Sequence, residues 1–132
     1  SYRLFNNLWW SWDGATWGVQ LGVDAGMQEN GIDGWNSWAG AVGIVRRRIG
    51  ERYRAVGRAE YYTDPDQVMV PTGTPHGLTL VGYSLGLDLM VAEDAFVRLE
   101  GRTFHGVDAV FNDVHGSTHD NTAITVSTAV RF

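Results

Sequence analysis

Trp17 to Met27 reads W-G-V-Q-L-G-V-D-A-G-M. Its odd positions are Trp17, Val19, Leu21, Val23, Ala25 and Met27, all apolar. Its even positions are Gly18, Gln20, Gly22, Asp24 and Gly26, all small or polar. A helix, with its 3.6-residue period, would mix the two sets on every face. A strand, with period two, separates them completely. This segment therefore predicts a two-faced β-strand.

The same alternation recurs along the chain. Thr79 to Val91 sets Val81, Tyr83, Leu85, Leu87 and Leu89 against Gly82, Ser84, Gly86 and Asp88. Arg52 to Asp64 carries Arg54, Arg58, Glu60 and Tyr62 on one face and Tyr53, Ala55, Gly57, Ala59 and Tyr61 on the other. In Val97 to Phe104, V-R-L-E-G-R-T-F, the charges Arg98, Glu100 and Arg102 share one side. Asp120 to Phe132 alternates as well, while Tyr2 to Trp12 and Trp35 to Arg47 do so less cleanly. Glycines recur in almost every candidate helix, where each would cost about 1 kcal/mol. The reading is all-β: seven strands, each reaching the roughly 9–11 residues a tilted strand needs to cross a bilayer.

The connections alternate in length. Asp13–Thr16, Ile49–Glu51 and Ala92–Asp94 are tight turns, whereas Gly31–Gly34, Thr63–His76 and Gly106–His119 are mostly longer and rich in Pro, Gly, Asn, Asp and His. Short turns on one rim and long loops on the other fit an antiparallel up-and-down transmembrane barrel. We expect one domain over residues 1–132.

Composition narrows the function. All ten basic residues are arginine, and lysine is absent. A solvated surface uses lysine freely, whereas confined ion pairs favour the guanidinium fork. The net charge of −5 argues against a nucleic-acid partner. Cysteine is absent, which excludes disulfides and thiolate metal sites. The chain begins at Ser1 with neither an initiator methionine nor a signal peptide, so we expect a mature product or a fragment.

Alternation alone does not say which face meets lipid. Three details place the apolar face outward. Aromatics gather near strand ends, with Trp10, Trp12, Trp17, Trp38, Tyr53, Tyr61 and Phe132 as the expected interfacial girdle beside Trp9 and Trp35. The polar face carries small residues and arginine instead of the lysine–glutamate mixture of a wet surface. The chain also ends on Phe132, an aromatic terminus of the kind the outer-membrane assembly machinery recognises. The pore-lining set expected from this is Arg54, Arg58, Glu60, Asp88, Arg98, Glu100, Arg102 and Arg131. Arg58 and Glu60 are expected to reach over the small residues Gly82, Ser84 and Gly86 to meet Arg98, Glu100 and Arg102. Such a ladder would set charge selectivity, or brace and plug the wall.

"RAEYYTDPDQV", "LVGYSLGLDL", "VRLEGRTF" and "DNTAITVSTAVRF" resemble the last strands of the OmpL-like β-barrel porins, and "LFNNLWWSW" and "LGVDAGMQENG" are similar to preceding strands. The resemblance spans nearly the whole chain and rests on order and spacing. It implies a bacterial outer-membrane barrel with a polar lumen and passive solute passage, without catalytic residues or cofactor. Those porins are longer, and seven antiparallel strands leave the first and last parallel, whereas bacterial single-chain barrels close with an even number. We therefore expect the C-terminal part of a larger barrel, completed by further residues, another chain or other copies.

Other constellations are explained more simply. Asp113, His115, Ser117, His119 and Asp120 are metal-capable or triad-like, but match no zinc spacing and read as a solvated loop. Asp64 and Asp66 suit calcium, though turn chemistry accounts for them. Arg46–Arg48 reads as a periplasmic rim cluster near Glu51 and the Glu93–Asp94 turn. The functional expectation is diffusion of small polar solutes or ions. The alternatives are a non-conducting scaffold barrel and a soluble β-barrel binding an apolar ligand.

Overall fold

The computed structural model describes residues 1–32 and 34–131. Among them there is no helix, and the chain folds as a seven-stranded antiparallel meander. The strands are β1 (Arg3–Asp13), β2 (Trp17–Glu29), β3 (Trp35–Ile49), β4 (Tyr53–Asp64), β5 (Leu78–Ala92), β6 (Ala95–Gly106) and β9 (Asp120–Val130). Each pairs with its neighbour in chain order, so every connection is local. Pairing is continuous except for an irregularity between Met90 and Ala92 beside the β5–β6 turn.

The expected loop after Gly106 holds a second, small hairpin: β7 (Phe111–Asp113) and β8 (Gly116–Thr118). Three-residue strands are too short to show alternation, which is why this hairpin leaves no mark in the sequence pattern.

The two faces differ as the period-two pattern requires. Register places Gly18, Gly22 and Gly26 of β2 beside Arg46, Val42 and Trp38 of β3. The same face carries Arg58, Glu60, Ser84, Asp88 and Arg102. Among the described residues, the buried side chains all lie here: Trp38, Val56, Asp64, Ser84 and Asp88. The opposite face presents Leu21, Val23, Leu85, Leu87, Ile124 and Val126, with Leu85 77% and Ile124 80% exposed. The covered side is thus the polar one and the bare side the apolar one. This inverts the layout of a water-soluble domain, which hides such a patch.

β1 and β9 are the sheet edges, and the barrel is not closed within this chain. In a seven-strand meander they run in the same direction.

Candidate functional site

The polar face is built on a floor of glycines that leave room for large neighbours. A Cβ at Gly22 would lie 2.9 Å from the Trp9 ring, and one at Gly26 would lie 2.1 Å from Trp38. The indoles of β1 and β3 thus lie across β2 from opposite sides. At Gly82 the space is shared by the Phe104 ring and the stem of Glu60. At Gly18 it is filled by Asp13 and Arg46, which pair at 2.7 Å.

The charges of β4, β5 and β6 fall into three groups. On β5, Asp88 is fully buried and binds two arginines from the flanking strands. Arg54 of β4 donates from Nε at 2.8 Å, and Arg98 of β6 donates from Nε at 2.6 Å and Nη2 at 3.0 Å. The Phe96 ring lies 5.2 Å from the Arg54 guanidinium and 5.4 Å from that of Arg98. Arg58 pairs with Glu60 on its own strand at 2.6 Å, and Arg102 with Glu100 on its own strand at 3.2 Å. Arg102 also lies over the Phe104 ring at 5.7 Å.

The expected pairing of Arg58 and Glu60 with Glu100 and Arg102 across β5 therefore does not form. The reason is distance. Strands β4 and β6 stand two spacings apart, roughly 9–10 Å, whereas alternate residues of one strand are about 7 Å apart. A bridge over β5 forms only where β5 supplies a carboxylate in the middle, at Asp88. Where it offers Gly82, Ser84 and Gly86, each arginine turns to the glutamate on its own strand.

The other expected lining residues divide. Arg54, Arg58, Glu60, Arg98, Glu100 and Arg102 lie on the polar face; Asp88 does too, but beneath its two arginines. Arg131 falls just beyond β9 at the short-turn rim, where its amide donates to the Asp94 carbonyl at 2.7 Å. Arg46 and Arg48 belong to the polar face as well. They stand at its short-turn end, where Arg48 shares a cavity with Glu51 and Glu93 as the rim-cluster reading expects. Arg46 pairs with Asp13 rather than with Glu51 or Glu93. Arg47, on the other face, stacks over Trp17 at 5.1 Å.

Among the expected interfacial aromatics, Trp10, Trp12, Trp17, Tyr53 and Tyr61 are exposed on the apolar face. Trp38 departs from the expectation. It is 5% exposed and lies on the polar face over Gly26, with the Arg3 guanidinium 5.5 Å from its ring. A β3 pattern of W-N-S-W-A-G gives no clear parity, and the slot at Gly26 decides it. Phe132 lies outside the described residues.

The long loops are held by their own polar groups. Both carboxylate oxygens of Asp64 accept backbone amides, from Val68 at 2.8 Å, Met69 at 2.8 Å and Val70 at 2.9 Å. Asp66 accepts from the Ser37 amide at 2.9 Å. This is the turn chemistry expected of the Asp64–Asp66 segment. Gly77 closes the loop at φ +60°, with its Cα packed so near the Asp64 carbonyl that no side chain fits. Asp113 accepts from the His115 amide at 2.7 Å. Met69 and Val70 line, with Trp9, Glu60, Tyr62 and Phe104, an open trough of about 590 Å³. Side chains of the polar face converge and bury one another, whereas the large residues of the apolar face splay apart and stay exposed, so the polar face is the concave one.

No curated protein and no solved structure matches the sequence significantly. A family model described as "Putative beta-barrel porin-2, OmpL-like" matches residues 1–132. With its antiparallel sheet and its charged concave face, the chain belongs to this OmpL-like β-barrel porin family.

Proposed function

We propose that the chain forms part of the wall of a bacterial outer-membrane pore, through which small polar solutes or ions diffuse passively. The carrying observation is the inversion of the sheet: a concave face of arginine, carboxylate and glycine against a bare apolar face bordered by aromatics. Tyr53 and Tyr61 are eight residues apart on β4, which is roughly 26 Å along the strand. Tilted by about 40°, that span projects to roughly 20 Å, close to the apolar band of outer-membrane barrels. Lipid is the partner of this face, and Arg47 over Trp17 suits the interfacial belt. Open strand edges cannot be left in lipid. β1 and β9 therefore pair with further strands, from the same chain, a partner or other copies. No group in this reading is assigned catalysis.

The test is reconstitution. Purified protein in liposomes should make them permeable to small sugars or ions, and purified protein should need detergent to stay monodisperse. Liposomes that hold folded protein yet stay sealed would refute passage and favour the scaffold reading. One observation favours that alternative: the β4–β5 loop reaches over the trough with Met69 and Val70.

A further inference from the structure

We infer that the short-turn half of the concave face is an anion filter, so that the pore favours small anionic solutes; this rests on the passage reading above. The sequence carries an overall charge of −5, which by itself argues the reverse. Register redistributes that charge. Arg48, Arg54, Asp88 and Arg98 stand side by side in one row across four consecutive strands. The next row holds Arg46 with Asp13, and Glu100; the third holds Arg58 and Arg102. These three rows hold six guanidinium groups but three carboxylates. Glu60, the partner of Arg58, stands in the adjoining row, so six guanidinium groups face four carboxylates. Glu51, Glu93 and Asp94 lie in the short turns together with Arg52, whereas Asp24 and Asp64 lie toward the long-loop end, and Asp66, Asp108 and Asp113 lie in the long loops.

The row is also rigid. One carboxylate, Asp88, holds two arginines, so the group retains a net positive charge while both side chains are fixed over Phe96. Among the described residues Arg48 forms no salt bridge, and it adds a further positive charge beside Arg54 in a cavity it shares with Glu51 and Glu93. At the other end, the buried Asp64 carboxylate is spent on three amides, which weakens its field in the lumen. Fixed guanidinium groups lining a confined path attract anions and repel cations. Their planar donors also suit carboxylate- or phosphate-bearing solutes.

Reversal potentials in a KCl gradient across planar bilayers test this. The native protein should pass chloride in preference to potassium. Arg48→Gln leaves the Asp88 cluster intact and should lower the chloride-to-potassium ratio roughly sixfold, since one unit charge some 8 Å away in water acts about 2.4-fold on each ion and in opposite senses. Arg48→Glu should lower it further. Arg54→Gln combined with Asp88→Asn removes one charge of each sign and should leave the ratio within about twofold. Cation preference in the native protein, or an unchanged ratio in Arg48→Glu, would overturn the filter and leave passage standing. Folded protein in the bilayer without conductance would overturn passage and the filter together.

Discussion

Asp88 and Arg98, directly opposed on β5 and β6, are joined by two hydrogen bonds of 2.6 and 3.0 Å, with the carboxylate wholly shielded from solvent. Arg54 closes the other side. Asp88→Asn should therefore leave two guanidinium groups facing each other with one acceptor oxygen fewer and no negative charge between them. The expected loss is about 2 kcal/mol, the range for orphaning charged hydrogen-bonding groups. Denaturant titration of the folded protein in detergent measures it; an unchanged midpoint would show that the cluster does not brace the wall.

The glycine slots predict a sharp contrast. Gly26→Ala places a methyl group against Trp38, whereas Gly101→Ala, on the apolar face, meets nothing within 4 Å. The first should cost about 1–3 kcal/mol through displacement of the indole. The second should change stability by less than about 0.5 kcal/mol. Equal effects at the two sites would show that Trp38 does not fill that slot.

Leu85 tests which face meets lipid. An arginine there, in mid-strand on the apolar face, should cost about 2–4 kcal/mol of stability in a bilayer. Thr125→Arg, opposite Glu100 on the polar face, should cost little. Folding yields into vesicles compare the two directly. If Leu85→Arg folds as well as Thr125→Arg, the apolar face is not in lipid.

Asp64→Ala removes the acceptor for three loop amides. About 2 kcal/mol of local stability should go with it. The Pro65–Gly77 segment should then become open to limited proteolysis while β4 and β5 stay protected. Cleavage no faster than in the native protein would contradict this.

The long loops also carry a pH-sensitive tie. Asp108 accepts from the His76 amide at 2.9 Å and lies 3.0 Å from its Nδ1. These bonds from His76, led by the side-chain contact, hold the Asp108 carboxyl below its usual range. A lowered folded pKa means the tie is fully present above the ordinary carboxylate value of about 3.9 and is lost as pH falls through the lower folded value. Proteolysis of the two loops by an acid-active protease should rise over that acid window in the native protein. In Asp108→Asn it should be high across the whole window.

The strands were legible because β2, β4, β5 and β6 alternate cleanly, and one misplaced residue would turn a whole face over. β1 and β3 were harder. A Trp9–Trp10 doublet and the W-N-S-W pattern give no parity of their own; the pairing with β2 supplies it. That is why Trp38 was expected on the wrong side and Arg46 and Arg48 were missed as part of the polar face. A tract continuing the alternation Ile44, Arg46, Arg48 was the available signal. Asp88 was legible as polar-face, but its partners were not. Which arginine meets which carboxylate depends on what the strand between them offers, and spacing along one chain does not carry that. The hairpin β7–β8 was beyond reach for the same reason that short strands lack a period.

The orientation of the tryptophans gives the protein two built-in optical reporters. Trp38 and Trp9 sit on the concave side, while Trp10, Trp12, Trp17 and Trp35 share the outer face. A bromine-labelled acyl chain should dim the outer group and spare Trp38. Acquisition of the lumen could then be timed separately from entry into the bilayer. The order of those two events during assembly is written into six indole rings, without any added dye.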